Sequence, residues 1–496
     1  MTRTRVAEVA LSTQHWIGGE PCAASQATFP VYSPIDGSLL AEVAAGGAAD
    51  VERAVQSAKA AFPGWAALGP EGRAPILRRF AQGIVQKKEQ LAAVETANNG
   101  SLLLGNLKRF VDRAAHNITF FADFACQLKP AALVGAELDN HTHYEPAGVS
   151  ALITPWNAPL MLSSWKLGPA LAAGNTVVLK PAEWAPLSCS LLAEIALEAG
   201  IPRGVFNLVQ GLGAEAGQAL VDHPDVARIS FTGSTATGRR IAHSAAERLV
   251  PVSLELGGKS PFLVFADADL EDAANNVAAQ FNNAGQVCLA GTRILVDAAI
   301  EPTFRAMVLK AAAAFTVGDP RQKGVRVGPL IHARQLERVS GFVQRALDGG
   351  ARALLGGAPH ALGGLYYQPT LLDQVAADAE IAQNEVFGPV LTWHTFESEA
   401  EAIALANGTE YGLAAMLYTR DAERARRVAR AIVAGTVWLN CFFVRDLGAP
   451  FGGARRSGIG REGGAFSFDF FCDVKNVAIK RGTLLEAGTS KETSHG

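Results

Sequence analysis

The sequence predicts a large α/β protein: a doubly wound parallel sheet, a second α/β unit behind it, and a small β-ribbon arm. Three observations predict this. Residues 147 to 256 alternate short β-branched runs with longer helical stretches, the pattern of parallel strands joined by crossover helices. The chain's 496 residues exceed what a single core usually serves. Its 50 glycines provide the tight turns and close backbone approaches that such sheets need at their strand ends.

Taken in order, Asp50 to Phe62 and Gly72 to Glu95 have helical apolar spacing and are expected to pack on the first sheet. Val149-Ser-Ala-Leu-Ile153, Thr176-Val-Val-Leu179, Val205-Phe-Asn-Leu-Val209, Ala227-Arg-Ile-Ser-Phe231 and Val252-Ser-Leu-Glu-Leu256 read as buried parallel strands. Leu160 to Ala173, Leu187 to Ala199, Ala214 to Val221 and Thr235 to Arg248 read as the helices between them. Ligands of such sheets bind at the carboxyl ends of the strands. Pro155, Lys180 and Gly233 all fall just past such ends. A second unit follows, with strands near Pro261-Phe-Leu-Val-Phe265 and Thr292-Arg-Ile-Leu-Val296, and continues to about Val437. Leu133 to Tyr144 and Asp473 to Lys480 look like ribbon strands. The expected division is residues 1–125 and 147–256, then 257–450, with 126–146 and 451–496 forming the arm and C-terminal segment. The polar tail Glu486 to Gly496 is expected to be loosely ordered.

Composition excludes several classes. A hydrophobic content of 49% with 18% charge is that of an ordinary globular enzyme. A net charge of −3 gives no electrostatic footprint for nucleic acid or an acidic membrane. The apolar stretch from Ala147 to Leu179 is interrupted by Pro155, Asn157, Pro159, Lys166 and Asn175, so a membrane span there is not expected. The first residues lack a signal-peptide core. Six scattered cysteines without a CxxC pair suit a reducing cytoplasm.

One of those cysteines stands apart. Phe281-Asn-Asn-Ala-Gly-Gln-Val-Cys-Leu-Ala-Gly-Thr-Arg293 puts Cys288 on a polar, glycine-bounded segment, where an inert structural thiol is out of place. Glu255, in Ser253-Leu-Glu-Leu-Gly-Gly-Lys-Ser-Pro261, offers a base, and Asn157, in Pro155-Trp-Asn-Ala-Pro159, offers an amide donor for an oxyanion. Thiol, carboxylate and amide together point to acyl chemistry on a carbonyl. Two glycine clusters compete for a phosphate role. Gly211-Leu-Gly-Ala-Glu-Ala-Gly217 misses GxGxxG by one residue, and Gly233-Ser-Thr-Ala-Thr-Gly238 opens a helix whose N-terminus favours an anion. Glu255, about twenty residues beyond, also stands where a ribose-binding acid would.

These segments, with Val178-Leu-Lys-Pro-Ala-Glu183, Phe231-Thr-Gly-Ser-Thr-Ala-Thr-Gly238, Glu385-Val-Phe-Gly-Pro389 and Pro450-Phe-Gly-Gly453, resemble the aldehyde dehydrogenase superfamily in order and spacing over almost the whole chain. The resemblance implies that the first unit binds NAD, the second is catalytic, and the ribbon pairs with a neighbouring subunit in a homodimer or homotetramer. It implies Cys288 as nucleophile, Asn157 as oxyanion donor and Glu255 as the base that hydrolyses the thioester, which argues against a CoA-acylating relative. Lys166 and Glu462 resemble a pair that assists proton movement, and Lys259 reads as structural. For the cofactor, the resemblance favours Ser234, with Gly233 and Phe231, at the pyrophosphate. Gly213 and Gly217 then turn near the adenine, and Lys180 and Glu183 hold the adenosine ribose. Ile153, Pro155, Trp156 and Leu256 line the groove, and Glu385 with Phe387 lies at the nicotinamide end. A carboxylate at Glu183 would repel a 2′-phosphate, so NAD is expected over NADP. No metal is needed, although His141-Thr-His143-Tyr-Glu145 imitates a ligand cluster on one strand face.

Val444-Arg-Asp-Leu447 and Ser457-Gly-Ile-Gly-Arg-Glu-Gly-Gly464 look like the hydroxymuconic and aminomuconic semialdehyde dehydrogenase branch. That branch implies a carboxylated semialdehyde held by Arg445 and Arg113, near Phe451. Two departures weigh against it or widen the site: Gly448, where relatives often have arginine, and Ala158, where many carry a bulky aromatic. The alternatives are a broad aliphatic, betaine-like or aromatic aldehyde specificity and, more remotely, a non-catalytic structural descendant.

Overall fold

The computed structural model describes residues 3–25, 27–129 and 131–481, so the tail from Glu486 lies outside the described residues. Its first sheet has eight strands in the order Gly458–Ile459, Val252–Glu255, Val226–Thr232, Val149–Thr154, Thr176–Pro181, Phe206–Leu208, His15–Ile17 and Glu20–Cys22. The five strands from Val252–Glu255 to Phe206–Leu208 run parallel. Val149–Thr154 and Thr176–Pro181 are buried at every residue, as strands covered by helices on both faces must be. The chain works outward from Val149–Thr154 through Thr176–Pro181 to Phe206–Leu208, then crosses back to Val226–Thr232 on its other side. That reversal opens a crevice at the carboxyl end of Val149–Thr154. Pro155, Trp156 and Asn157 stand at it.

Local signals set the flanking elements. Helix Pro159–Ala173 starts with proline at its first position, where the missing N–H costs nothing, and stops at Gly174 with φ +100°. Helix Thr235–Ala246 begins under the Ser234 hydroxyl, which accepts the Thr237 N–H. The single helix expected from Gly72 to Glu95 is two, Gly69–Gln86 and Lys88–Asn99. Lys87 leaves the helical region (φ −97°, ψ 22°), and the restarted helix brings Leu91 and Val94 into the core. The first helix also runs beyond Phe62, through Pro63 to Ala67. Its Trp65 indole is buried and donates to the Leu171 carbonyl.

The second sheet orders Arg352–Leu355, Thr370–Asp373, Val390–Phe396, Arg293–Asp297, Pro261–Val264, Ala414–Tyr418 and Thr436–Leu439, with only the first pair antiparallel. A three-stranded antiparallel ribbon joins Cys472–Lys480, Leu138–Pro146 and Ala132–Val134. Leu133, Val134, Leu138, Val474 and Val477 are exposed on it. Residues 451–471, grouped with the arm from sequence, lie elsewhere. Gly458–Ile459 pairs antiparallel with Val252–Glu255 at the edge of the first sheet, and helix Gly464–Phe471 buries Phe468 and Phe471 in the first core. Apolar burial of the two phenylalanines draws that segment away from the ribbon. Among the described residues no helix is long and apolar enough to cross a membrane.

Candidate active site

The crevice opens into a cavity that brings together Asn157, Glu255, Cys288, Arg445, Phe451 and Glu462. Cys288 follows a strained turn. Asn283, Ala284 and Gly285 all have positive φ (54°, 52° and 67°), a conformation that non-glycine residues rarely hold and that clusters at functional sites. A Cβ on Gly285 would lie 2.0 Å from the Gly388 carbonyl oxygen, so that position admits only glycine. The Asn283 amide donates to the Asn157 carbonyl (3.1 Å), and the Asn157 amide donates to the Gln286 carbonyl (2.9 Å). This clasp fixes the cysteine loop against the first unit. One Asn157 N–H orients the amide, and the other remains for a ligand.

Burial acts in the same direction on the thiol and on its neighbouring carboxyl, raising both. Burial, then the charges of Glu385 and Glu255, push the Cys288 thiol up to about 12, with Arg445 opposing them. Burial and the Glu462 charge raise the Glu255 carboxyl well above the usual range. Neither Glu255 oxygen has a hydrogen-bond partner. A Cβ on Gly452 would come within 2.9 Å of Glu255 Oε1, so the Pro450-Phe-Gly-Gly453 turn leaves that oxygen room.

Behind Glu255 lies a satisfied polar network. Lys166 Nζ donates to Glu462 Oε1 (2.9 Å) and to Ser230 Oγ (2.8 Å), and the Ser253 hydroxyl donates to the same carboxylate (3.2 Å). The Trp165 indole donates to its other oxygen. Burial pushes the Glu462 carboxyl up, but the Lys166 charge and these hydrogen bonds outweigh it and hold the group below its usual range. Two reciprocal backbone bonds tie Glu462 to Phe451, so the network and the cavity wall are one unit.

A second cluster surrounds the strand end at Thr176–Pro181. Buried Lys180 donates to the Pro181 carbonyl (2.8 Å) and reaches Glu183 (3.4 Å). Cβ atoms built on Gly217 and Gly213 would lie 3.7 Å from Lys180 and 3.9 Å from Glu183. The near-miss glycine loop therefore faces this charged pair rather than the strand switch. The other glycine cluster stands at the switch itself. A Cβ on Gly233 would meet the Phe231 ring at 2.5 Å, and one on Gly238 would meet Leu256 at 2.4 Å. Further along, Glu385 accepts the Gly258 N–H (3.2 Å), and burial raises its carboxyl to about 7. Phe387 packs edge-on against Trp156, with ring centroids 5.2 Å apart. The donors fit a dinucleotide: a cation and a carboxylate under small residues, a capped helix N-terminus, and a buried acid with an aromatic pair. Ile153 is the last residue but one of the strand Val149–Thr154.

Arg445 is not a surface arginine paired with Asp446. Its guanidinium stacks on Phe451 (3.7 Å) and Trp165 (4.4 Å), and Nη2 is buried without a partner. Arg113 lies in an adjoining cavity that shares Trp165, Phe443 and Arg445 with the first. Ala158 lines the catalytic cavity, and the Gly448 N–H closes a turn on Asp446. Arg109, Trp165, Phe443 and Glu95 are among the lining residues missed from sequence. Arg109 stands four residues before Arg113 on a helical run, a spacing that puts the two on one face and could have revealed it. Buried Glu95 gave no signal among its apolar neighbours. It accepts the Leu160 N–H, and burial raises it to about 7. His141 and His143 sit on the ribbon, and no group of three metal-ligating side chains gathers among the described residues. All six cysteines are free.

The family model for the aldehyde dehydrogenase family matches residues 22–477. The chain is 44% identical to 5-carboxymethyl-2-hydroxymuconate semialdehyde dehydrogenase of Escherichia coli, over 91% of this chain and 98% of that protein. It is 41% identical to 2-hydroxymuconic semialdehyde dehydrogenase of Pseudomonas sp. strain CF600, over 94% and 99%. Indole-3-acetaldehyde dehydrogenase, solved with NAD+, superposes with a TM-score of 0.93 at 41% identity, over 95% of this chain and 97% of that one. Likeness of this extent, in sequence and in fold, carries the conclusion that the chain is an enzyme of the aldehyde dehydrogenase family.

Proposed function

We propose that this enzyme uses NAD to oxidise a semialdehyde with a carboxylate at its far end, a muconic-type semialdehyde like those named for its relatives. One observation carries the reading: a guanidinium with a buried, unpartnered N–H inside the same cavity as the thiol. Such a group is costly to bury alone and suits a bidentate carboxylate. A non-catalytic descendant is disfavoured by thiol, amide and carboxyl converging on one cavity.

In this mechanism Cys288 gives its proton to water, and the thiolate Sγ attacks the aldehyde carbon as the carbonyl π bond opens onto oxygen. The free Asn157 N–H and the Cys288 backbone N–H receive the oxyanion. NAD, when bound, supplies the hydride acceptor. Cys288 then holds the acyl group as a thioester, and Glu255, once ionised, takes a proton from the water whose oxygen bonds to the acyl carbon, after which the C–S bond breaks and releases the acid and the Cys288 thiolate. Lys166 and Glu462 carry the proton onward from Glu255. Lys180 and Glu183 would hold the adenosine ribose. Ser234, with Gly233 and Phe231, would hold the pyrophosphate. Gly213 and Gly217 would flank the adenine, with Ile153, Pro155, Trp156 and Leu256 along the groove and Glu385 and Phe387 at the nicotinamide. The exposed apolar side chains of the ribbon are the surface a neighbouring copy would cover in a homo-oligomer.

Arg445→Ala tests the substrate reading. A charge-assisted hydrogen bond contributes roughly 1.5–3 kcal/mol, so kcat/KM for 6-oxohexanoate should fall about ten- to a hundredfold. The loss on hexanal should be at least tenfold smaller. Arg445→Met, which keeps apolar packing on Phe451 and Trp165, should give the same selectivity. Equal losses on both aldehydes would make Arg445 structural and favour an aromatic or aliphatic substrate for the apolar cavity.

Cofactor choice is expected to depend on Glu183. Wild-type kcat/KM should be higher with NAD than with NADP. Glu183→Ser should narrow the gap by about tenfold, because it removes a like charge facing a 2′-phosphate. A wild-type preference for NADP would overturn this role.

A further inference from the structure

The helix that restarts after Lys87 does more than bury Leu91 and Val94. Glu95 and Asn98, three residues apart on Lys88–Asn99, share one face, and each meets the leading N–H of another helix. Helix Pro159–Ala173 follows Ala158, which has no side-chain oxygen to cap it, and Pro159 carries no N–H. Leu160 therefore holds the first N–H of that helix, and Glu95 Oε1 accepts it at 3.2 Å. Helix Leu187–Glu198 likewise follows a proline, and Asn98 Oδ1 accepts the Leu187 N–H at 3.0 Å. Helices Thr235–Ala246 and Leu270–Ala278, by contrast, are capped by their own Ser234 and Asp269. Lys88–Asn99 supplies from outside what the other two lack.

The Glu95 cap bears on the chemistry because Asn157 lies just ahead of it. On one side, the Asn157 carbonyl accepts the Asn283 amide, and its own amide donates to the Gln286 carbonyl. On the other, the chain turns at Ala158 (φ −154°, ψ 64°) and is next held at Leu160, by Glu95. The Leu162 N–H bonds the Ala158 carbonyl, so a shift of the helix start is passed back to Asn157. Glu95 is buried, and a carboxylate there also complements the positive end of the helix.

We propose that Glu95 is a positioning residue: by capping helix Pro159–Ala173 from a neighbouring helix, it sets where the Asn157 amide presents its N–H to the oxyanion. The proposal rests on the oxyanion reading of Asn157 and extends it. The competing role is direct contact. Glu95 lines the catalytic cavity and its Oε2 has no hydrogen-bond partner, which would let it touch the substrate itself.

A double-mutant cycle on the full-length enzyme with NAD and hexanal separates the two roles. Asn157→Ala alone should lower kcat about a hundred- to a thousandfold. Glu95→Met, which keeps the volume and removes the acceptor, should lower kcat about ten- to a hundredfold, the cost of a small misplacement. In the Asn157→Ala background the same change should cost less than about threefold, because the group it positions is gone. KM for hexanal and NAD affinity should each stay within about threefold. Glu95→Gln keeps an acceptor oxygen and should lie between Glu95→Met and wild type. Its loss should also vanish without Asn157, which keeps the cycle readable if the methionine variant does not fold. A Glu95 loss that persists undiminished in the Asn157→Ala background would overturn the proposal and put Glu95 on the substrate. No loss, or an equal loss in kcat and NAD affinity, would overturn it too and leave Glu95 a helix cap alone. If Asn157→Ala itself costs less than about tenfold, the oxyanion reading fails and takes the proposal with it.

Discussion

Cys288→Ala should form no NADH from any aldehyde, a loss of about four or more orders of magnitude, since removing a nucleophile disables the whole catalytic unit. The other five thiols cannot substitute. Cys189 is fully buried against Ser163, and Cys472 is buried at the start of the ribbon strand. Cys22 lies on an edge strand, Cys126 on an exposed helix end, and Cys441 packs on the second core without lining the catalytic cavity. Cys288 alone shares a cavity with an amide donor and a carboxyl. Its substitution removes no contact with Lys180, Glu183 or Ser234, so NAD affinity, read by nucleotide fluorescence quenching, should stay within about twofold. Turnover above that level in the variant would remove the nucleophile assignment. A parallel loss of NAD affinity would instead mean that the cysteine loop supports the nucleotide groove.

The parts of this site that were legible in sequence share a physical cause. Strands such as Val149–Thr154 are buried on both faces and so read as short β-branched runs between glycines and prolines. The residues that follow them, Pro155 to Asn157 and Gly233 to Ser234, stand at the switch point whatever the loops do. What stayed illegible depends on tertiary contact. Gly458–Ile459 is too short for any periodic signal, and only pairing with Val252–Glu255 makes it a strand. The helix break at Lys87 follows from core shape, since no glycine or proline marks it. Arg445 could be assigned to the substrate only through the Val444-Arg-Asp-Leu447 resemblance, since an adjacent Asp446 equally suits a surface ion pair. Its burial comes from Phe451, across a turn, and from Trp165, which is distant in sequence. Glu462 could be matched to a family pair, but nothing in its sequence neighbourhood announces the five-residue network that fixes its charge.

That network gives Glu255→Gln a distinctive expected result. Lys166 and Trp165 hold the Glu462 carboxyl below its usual range, and burial, then the Glu462 charge, raise the Glu255 carboxyl well above its own. A protonated carboxyl cannot accept a proton from water. The hydrolytic step should therefore speed up as pH rises and Glu255 ionises, and fall away as pH drops. Glutamine fixes the neutral state at every pH. Steady-state turnover of Glu255→Gln should fall about a hundred- to ten-thousandfold, the usual contribution of a positioned general base. Because the thiol and amide remain, the thioester should accumulate when aldehyde and NAD are mixed with the variant. Intact-protein mass spectrometry should then show one acyl group added, located on Cys288 by peptide mapping. The pH dependence of turnover should also flatten on the alkaline side. A variant with weakened NAD binding and intact chemistry would instead make Glu255 the ribose acid. One with neither adduct nor turnover would place Glu255 in the first proton transfer, from the Cys288 thiol, which burial also raises.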